Sequence, residues 1–203
     1  MKLKKFANNT INFSINRVIE IVGLAILITG ILLLASLITF SPDDPNFIFP
    51  DNTEIKNILG FRGSFTADIF FQSFGVISLL IPFTLIITGI IILVNKTMLL
   101  LIENIFYTIL YSLIGSLFFS FFYPLAFKLY INGNGGFVGK YLETTFLNSL
   151  INTNPKIFYY ILALTILFLF LFSIQFKVTS FYKFIKKSFK FLFLKKQKNY
   201  TNQ

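Results

Sequence analysis

The sequence has no cysteine, no histidine and no tryptophan, and only 13% of its 203 residues are charged. Without cysteine there is no disulfide, thiolate nucleophile or sulfur-ligated metal, while the redox compartment stays open because a cysteine-free chain tolerates either. Without histidine the commonest acid–base group and metal ligand is missing. No nucleophile–base pair or carboxylate cluster stands out along the chain, so no catalytic site, cofactor or metal is expected. The charged share is about half that of a soluble protein. Hydrocarbon takes its place: 55% of residues are hydrophobic, 19% are aromatic, and mean hydropathy is +0.76. That composition belongs in a membrane.

Four apolar runs are each long enough to cross about 30 Å of hydrocarbon at about 1.5 Å per residue. They cover residues 18–40, 74–94, 105–127 and 157–176. Lys2, Lys4, Lys5 and Arg17 precede the first run as in a signal peptide, but the run is too long and lacks an A-x-A site, so it reads as an uncleaved anchor. Ser41-Pro42-Asp43-Asp44-Pro45 stops that helix and opens a polar loop. Gly75 is expected to separate a short surface helix from the second span, and Pro82 to kink the span. Asn95 and Lys96 mark a tight turn. Glu103 stands just ahead of the third span, where a carboxylate suits a helix N-terminus. After Lys128 come a turn cluster at residues 132–136, an amphipathic stretch at 137–151 and a second break at 152–155.

The predicted fold class is therefore an all-α membrane protein, with four transmembrane helices and short amphipathic surface helices in both outer loops. Residues 1–17 form a cytoplasmic basic N-terminal segment and residues 18–176 the four-helix transmembrane domain. Residues 177–203 form a cytoplasmic basic amphipathic tail or the start of a linker. Orientation follows from the lysines and arginines: with the N-terminus inside, 13 lie on the inner side and five on the outer. This predicts a bacterial inner membrane protein with both termini cytoplasmic.

Gly60-Phe61-Arg62-Gly63-Ser64-Phe65 and Gly136-Phe137-Val138-Gly139-Lys140-Tyr141 share the pattern G-F-x-G-x-aromatic. Each follows an out-going span and leads back through a breaker, so the chain reads as two helix–loop–helix halves. The stretch from Gly133 to Lys140 only superficially resembles a phosphate loop; Asn134 and Tyr141 stand where a Walker pattern needs glycine and Ser or Thr. No ionisable residue lies in mid-span. Glu20 and Glu103 near inner helix ends and Asp68 at an outer end read as interfacial or capping groups. Thr108, Ser112, Ser116 and Ser120, with Gly115 beside them, form a stripe of small side chains on the third span. Such a stripe lets helix backbones approach in lipid, either within the bundle or between protomers. In the tail, Lys183, Lys186, Lys187 and Lys190 share one face of a helix between aromatic residues. That face fits an anionic inner-leaflet lipid surface, and the same charge would also suit nucleic-acid phosphates.

The runs Phe40-Ser41-Pro42-Asp43-Asp44-Pro45, Asn57 through Asp68, Phe74-Gly75-Val76 and Ile81-Pro82-Phe83 occur in an order that resembles the N-terminal four-span domain of the FtsK/SpoIIIE DNA translocases. That family opens its first outer loop with an F/Y-S-P-x-D-P-like run and enters the second span through a G-x-x-G-A-x-x-A-D-like run; here Ser64 replaces the usual alanine. Residues 136–142 look like its second glycine motif, with Lys140 less typical. The resemblance covers residues 17–176 and is most specific over 40–83. It marks Ser41, Pro42, Asp44, Pro45, Gly60, Gly63, Asp68, Gly75, Pro82, Gly136 and Gly139 as structural motif residues on the outer side.

The resemblance implies a septum-located anchor that forms a homo-oligomer, a hexamer in this family. It also implies contacts with division-machinery membrane proteins and the tethering of a cytoplasmic motor that moves chromosomal DNA. DNA would be reached only through that motor. An ATPase with Walker motifs should follow the fourth span, yet the sequence ends at Gln203; a truncated product, a split gene and a free-standing homologue are all open. The rival readings are a small permease or transport subunit built from two repeated two-helix halves, and an enzyme acting on lipid, which the missing catalytic groups disfavour.

Overall fold

The structure, a computed structural model, describes residues 2–45, 54–124 and 132–176 and residue 186, with side chains from Thr10 onward. Helix α1 spans Lys2–Ile38, 37 residues. At about 1.5 Å per residue it is about 55 Å long, well beyond the hydrocarbon core, because nothing between Lys2 and Arg17 is glycine or proline and the helix runs on through the polar segment. Its last turn tightens through Phe40 N to Leu37 O at 3.4 Å, just before Ser41 and Pro42 end it.

The second crossing is interrupted. Helix α2 spans Gly60–Phe74, a 3₁₀ segment runs over Gly75–Leu80, and helix α3 spans Ile81–Asn95. Fifteen residues of α3 give only about 22 Å of rise, and the 3₁₀ segment adds about 12 Å, so the two together cross the core. Gly75 does separate a helix from the span proper. Pro82 does not kink it: the proline occupies the first turn of α3, where its missing N–H had no intrahelical partner to lose.

Helix α4 spans Leu99–Phe122, beginning six residues before and ending five before the predicted 105–127. Lys96 adopts a left-handed conformation (φ 56°) and turns the chain within a few residues, while Pro124 restricts Tyr123 and closes the far end. Glu103 therefore lies inside the second turn of α4 and not ahead of it. The second long loop folds as two helices, α5 over Gly136–Glu143 and α6 over Phe146–Thr153, where one stretch was predicted. Thr145 makes the break: its backbone is extended and its hydroxyl accepts from Leu147 N at 3.3 Å as an N-cap. Helix α7 spans Pro155–Ser173. It stops before Phe176 in a Schellman turn, with Gln175 left-handed (φ 51°), Gln175 N donating to Phe172 O and Phe176 N to Leu171 O, each at 3.0 Å.

Four crossings result, over Thr10–Ile38, Gly60–Asn95, Leu99–Phe122 and Pro155–Ser173. Helix α1 packs along α3 and α4 along α7, with α2 and α5 wedged between the pairs at the loop end. The core is built there, from Leu33 and Leu37 of α1, Ala67 and Phe71 of α2, Ile77, Ile81 and Tyr111. Large apolar side chains such as Leu99, Val94 and Ile102 face outward, the arrangement lipid favours and water does not.

Candidate functional site at the joint between the halves

The chain's most constrained region lies at the loop end, where the interrupted second crossing meets the glycine-rich turn before α5. Breaking a helix inside a membrane frees backbone groups that need partners. Neighbouring segments supply several here. Val76 N donates to Asn134 O at 2.9 Å, Ser78 Oγ to Phe70 O at 2.7 Å, and Ser116 Oγ, from α4, to Phe74 O at 2.9 Å.

Glycine makes the joint possible. Gly75 has φ 70° and ψ −147°, a region closed to side chains, and an added Cβ would overlap the Asn134 carbonyl. Gly136, at φ 64°, lies against the Ser73 backbone, where a Cβ would sit 2.6 Å from the carbonyl carbon. Gly139 presses on Ser116 O and Gly115 on the side chain of Ile77. The small-residue stripe of α4 is thus occupied within the chain: Gly115, Ser116 and Ser120 receive the 3₁₀ segment and α5, and Ser120 Oγ donates to Glu143 Oε2 at 2.7 Å. Thr108 bonds back to Asn104 O at 2.7 Å, and the buried Ser112 hydroxyl has no partner among the described residues.

The first long loop, between α1 and α2, is clasped by one carboxylate. Asp44 is buried and accepts from Lys56 N and Asn57 N, each at 2.9 Å. Asn57 continues the chain of contacts, donating from Nδ2 to Ser36 O at 2.9 Å and accepting from Leu59 N at 3.1 Å. Ser64 Oγ reaches Pro45 O at 3.1 Å, and Ser36 Oγ reaches the Gly63 carbonyl at 2.5 Å. Ser41 and Pro42 form the turn that aims Asp44 inward, through Asp44 N to Ser41 O at 3.2 Å. Asp43 stays outside, paired with Lys56 Nζ at 2.9 Å; its hydrogen bond and charge hold that ammonium above the usual lysine value. Asp68 is buried on α2 with Gln72 Nε2 3.4 Å away, and Gln72 Oε1 in turn accepts from Asn132 N at 3.2 Å, joining α2 to the second loop.

The sequence repeat has a geometric counterpart. Gly60 and Gly136 each begin a helix at φ 64°, each after a turn closed by its own N–H, to Asn57 O at 2.8 Å and to Gly133 O at 3.1 Å. The other ends match too. The last helix of each half stops at a left-handed residue that is not glycine, and each such residue reaches the first helix of its own half: Lys96 Nζ to Glu20 Oε1 at 2.7 Å, Gln175 Nε2 to Asn104 Oδ1 at 3.3 Å.

Sequence reasoning missed Asn57, Asn134, Glu143 and the buried polar set between the crossing helices. There, Thr84 Oγ1 lies 3.1 Å from Tyr111 OH and 2.9 Å from Ser173 Oγ, and Asn104 Nδ2 donates to Thr88 Oγ1 at 2.8 Å. The available signal was an amide or hydroxyl inside an otherwise apolar run. Of the tail lysines, Lys183, Lys187 and Lys190 lie outside the described residues, and Lys186 is helical and exposed.

Among the described residues, no three His, Cys, Asp or Glu side chains gather as a metal site. Most of the joint's polar contacts go to backbone and the rest tie its own side chains together, so what it does chemically is hold two helical pairs in one register.

A model of the 4TM region of DNA translocase FtsK/SpoIIIE matches residues 16–185. No curated protein and no solved structure matches the chain.

Proposed function

Because the chain belongs to the FtsK/SpoIIIE 4TM family, whose membrane region is the non-catalytic part of those proteins, we propose that it is the membrane-anchoring and oligomerising domain of a bacterial cell-division DNA translocase. It sits in the inner membrane at the division septum with both termini in the cytoplasm, where it serves chromosome segregation. It assembles with copies of itself, as a hexamer by family likeness, and meets other division-machinery membrane proteins. Its basic tail, with Lys183, Lys186, Lys187 and Lys190, rests on the anionic inner leaflet at about 1 kcal/mol per lysine. DNA is handled by a motor domain that these residues do not include.

The observation that carries this reading is the extent of the family match, which takes in all four crossings and both jointed loops. Helix α7, with only 11% of its apolar stretch buried within the described structure, leaves room for neighbours in the membrane. A fluorescent fusion concentrating at mid-cell, with cross-linking into a closed oligomer, is the expected outcome. Uniform membrane fluorescence with a monomer only would overturn it. Orientation has its own test in this cysteine-free chain: Asn52→Cys should react with an impermeant thiol reagent from outside and Gln197→Cys should not, and the reverse would invert the topology.

A further inference from the structure

A lateral groove of about 470 Å³ lies between α1, α2 and α3, walled by Leu32, Leu33, Leu59, Phe70 and Leu85. No described residue fills it. Three hydroxyls also line it, and each already donates to a backbone carbonyl: Thr29 to Ala25 O at 2.9 Å, Thr66 to Arg62 O at 2.7 Å and Ser36 to Gly63 O at 2.5 Å. The wall therefore presents hydrocarbon and has no hydroxyl donor left for a polar ligand. Along α1 the groove extends from Thr29 to Ser36, about 10 Å of helix rise, which fits inside the roughly 15 Å of hydrocarbon belonging to one leaflet.

At the loop end the chemistry changes. Arg62 lines the groove there, exposed, and forms no ion pair among the described residues, whereas Lys56, Lys96 and Arg17 each have a carboxylate. Leu59, Arg62 and Gly63 belong to the start of α2, whose N-cap makes no side-chain hydrogen bond. The dipole of a helix start adds positive potential beside the guanidinium. An apolar slot one leaflet deep, ending at a cationic mouth, is complementary to a lipid with an anionic head.

We propose that this groove binds one acyl chain of an anionic glycerophospholipid from the loop-side leaflet, with its phosphate on Arg62 and the first turn of α2. Under the orientation proposed above, that leaflet is the outer one. A guanidinium can hold two phosphate oxygens at once, which fixes the head while the chain fills the slot.

The missing tryptophans make the test direct, since Leu32→Trp places the chain's sole tryptophan in the groove wall. The full chain is reconstituted in phosphatidylcholine vesicles containing brominated phosphatidylglycerol or brominated phosphatidylcholine. Brominated phosphatidylglycerol should quench this tryptophan with about fivefold higher apparent affinity, the ratio expected for one cationic side chain near the surface. Adding Arg62→Gln should bring the ratio to about one. A control, Leu167→Trp on the exposed face of α7, should show no preference. Equal quenching by both lipids at Leu32→Trp overturns the proposal. So does loss of quenching as protein density rises, which would place a second copy in the groove, or competition by inorganic phosphate, which would place a free anion there. Native mass spectrometry avoids the reporter altogether: the unaltered chain should retain one more phosphatidylglycerol than Arg62→Gln, and equal retention counts against the site.

Discussion

In the first half of the molecule α1 and α3 meet backbone to backbone, whereas in the second α4 and α7 meet ring to ring. An added Cβ at Gly89 would lie 2.7 Å from Leu27 N, and one at Gly30 would lie 2.9 Å from Ile86 N. Across α4 and α7, Tyr107 packs on Phe172 with centroids 5.7 Å apart, Tyr111 on Phe170 at 5.9 Å, and Phe122 on Tyr159 at 5.2 Å. In lipid, burying apolar surface brings no gain from excluded water, so association rests on close packing and on hydrogen bonds between helices. Glycine achieves closeness by removing side chains; aromatic rings achieve it by interleaving. The two halves reach one architecture by opposite means, so they should fail differently.

The largest contrast is expected from putting leucine into each seam, in place of a glycine in the first and of a ring in the second. Gly89→Leu must force α1 from α3, for about 3 kcal/mol of destabilisation, while Phe172→Leu should cost less than about 1.5 kcal/mol because rings around it can shift. Unfolding in mixed micelles followed by circular dichroism compares them, and equal losses would show that the halves are held alike.

The two long loops come next. Asp44→Ala strands two backbone N–H groups and should cost about 2–3 kcal/mol, with faster proteolysis between α1 and α2. Glu143→Ala removes one bond to Ser120 and should cost about 1 kcal/mol or less. Loop cleavage rates that respond equally to both would remove the distinction.

The smallest effects belong to the contacts that close each half at the end away from the loops. Asn104→Leu breaks a buried amide's bonds to Thr88 and Gln175 and should lower stability by about 1–2 kcal/mol at any ionic strength. Glu20→Gln weakens a partly exposed pairing with Arg17 and Lys96 and should lower stability least of all, a difference that salt abolishes. Stability measured at low and high salt separates the two.

The four crossings were legible because a membrane segment announces itself by length and apolarity alone. Gly75 as a divider and the paired glycine motifs were legible because glycine marks backbone that other residues cannot adopt. Helix ends were less so: Pro124 was a readable stop that the apolar run around it obscured, and Gln175 ends α7 in a conformation that sequence associates with glycine. Pro82 was read as a kink because its position relative to a helix start depends on where the preceding 3₁₀ segment gives way to α3.

The sequence by itself determined that this chain lives in a membrane, crosses it four times and repeats a glycine motif, since those features depend on local composition and spacing. Only the tertiary structure decided what the motif is for. Whether Gly75 faces lipid or Asn134, whether Ser116 serves a neighbouring copy or the Phe74 carbonyl, and whether Asp44 meets water or two amides depend on which distant segment fills the space beside each one. Local propensity does not encode that. The packing of α2 and α5 between the helical pairs does.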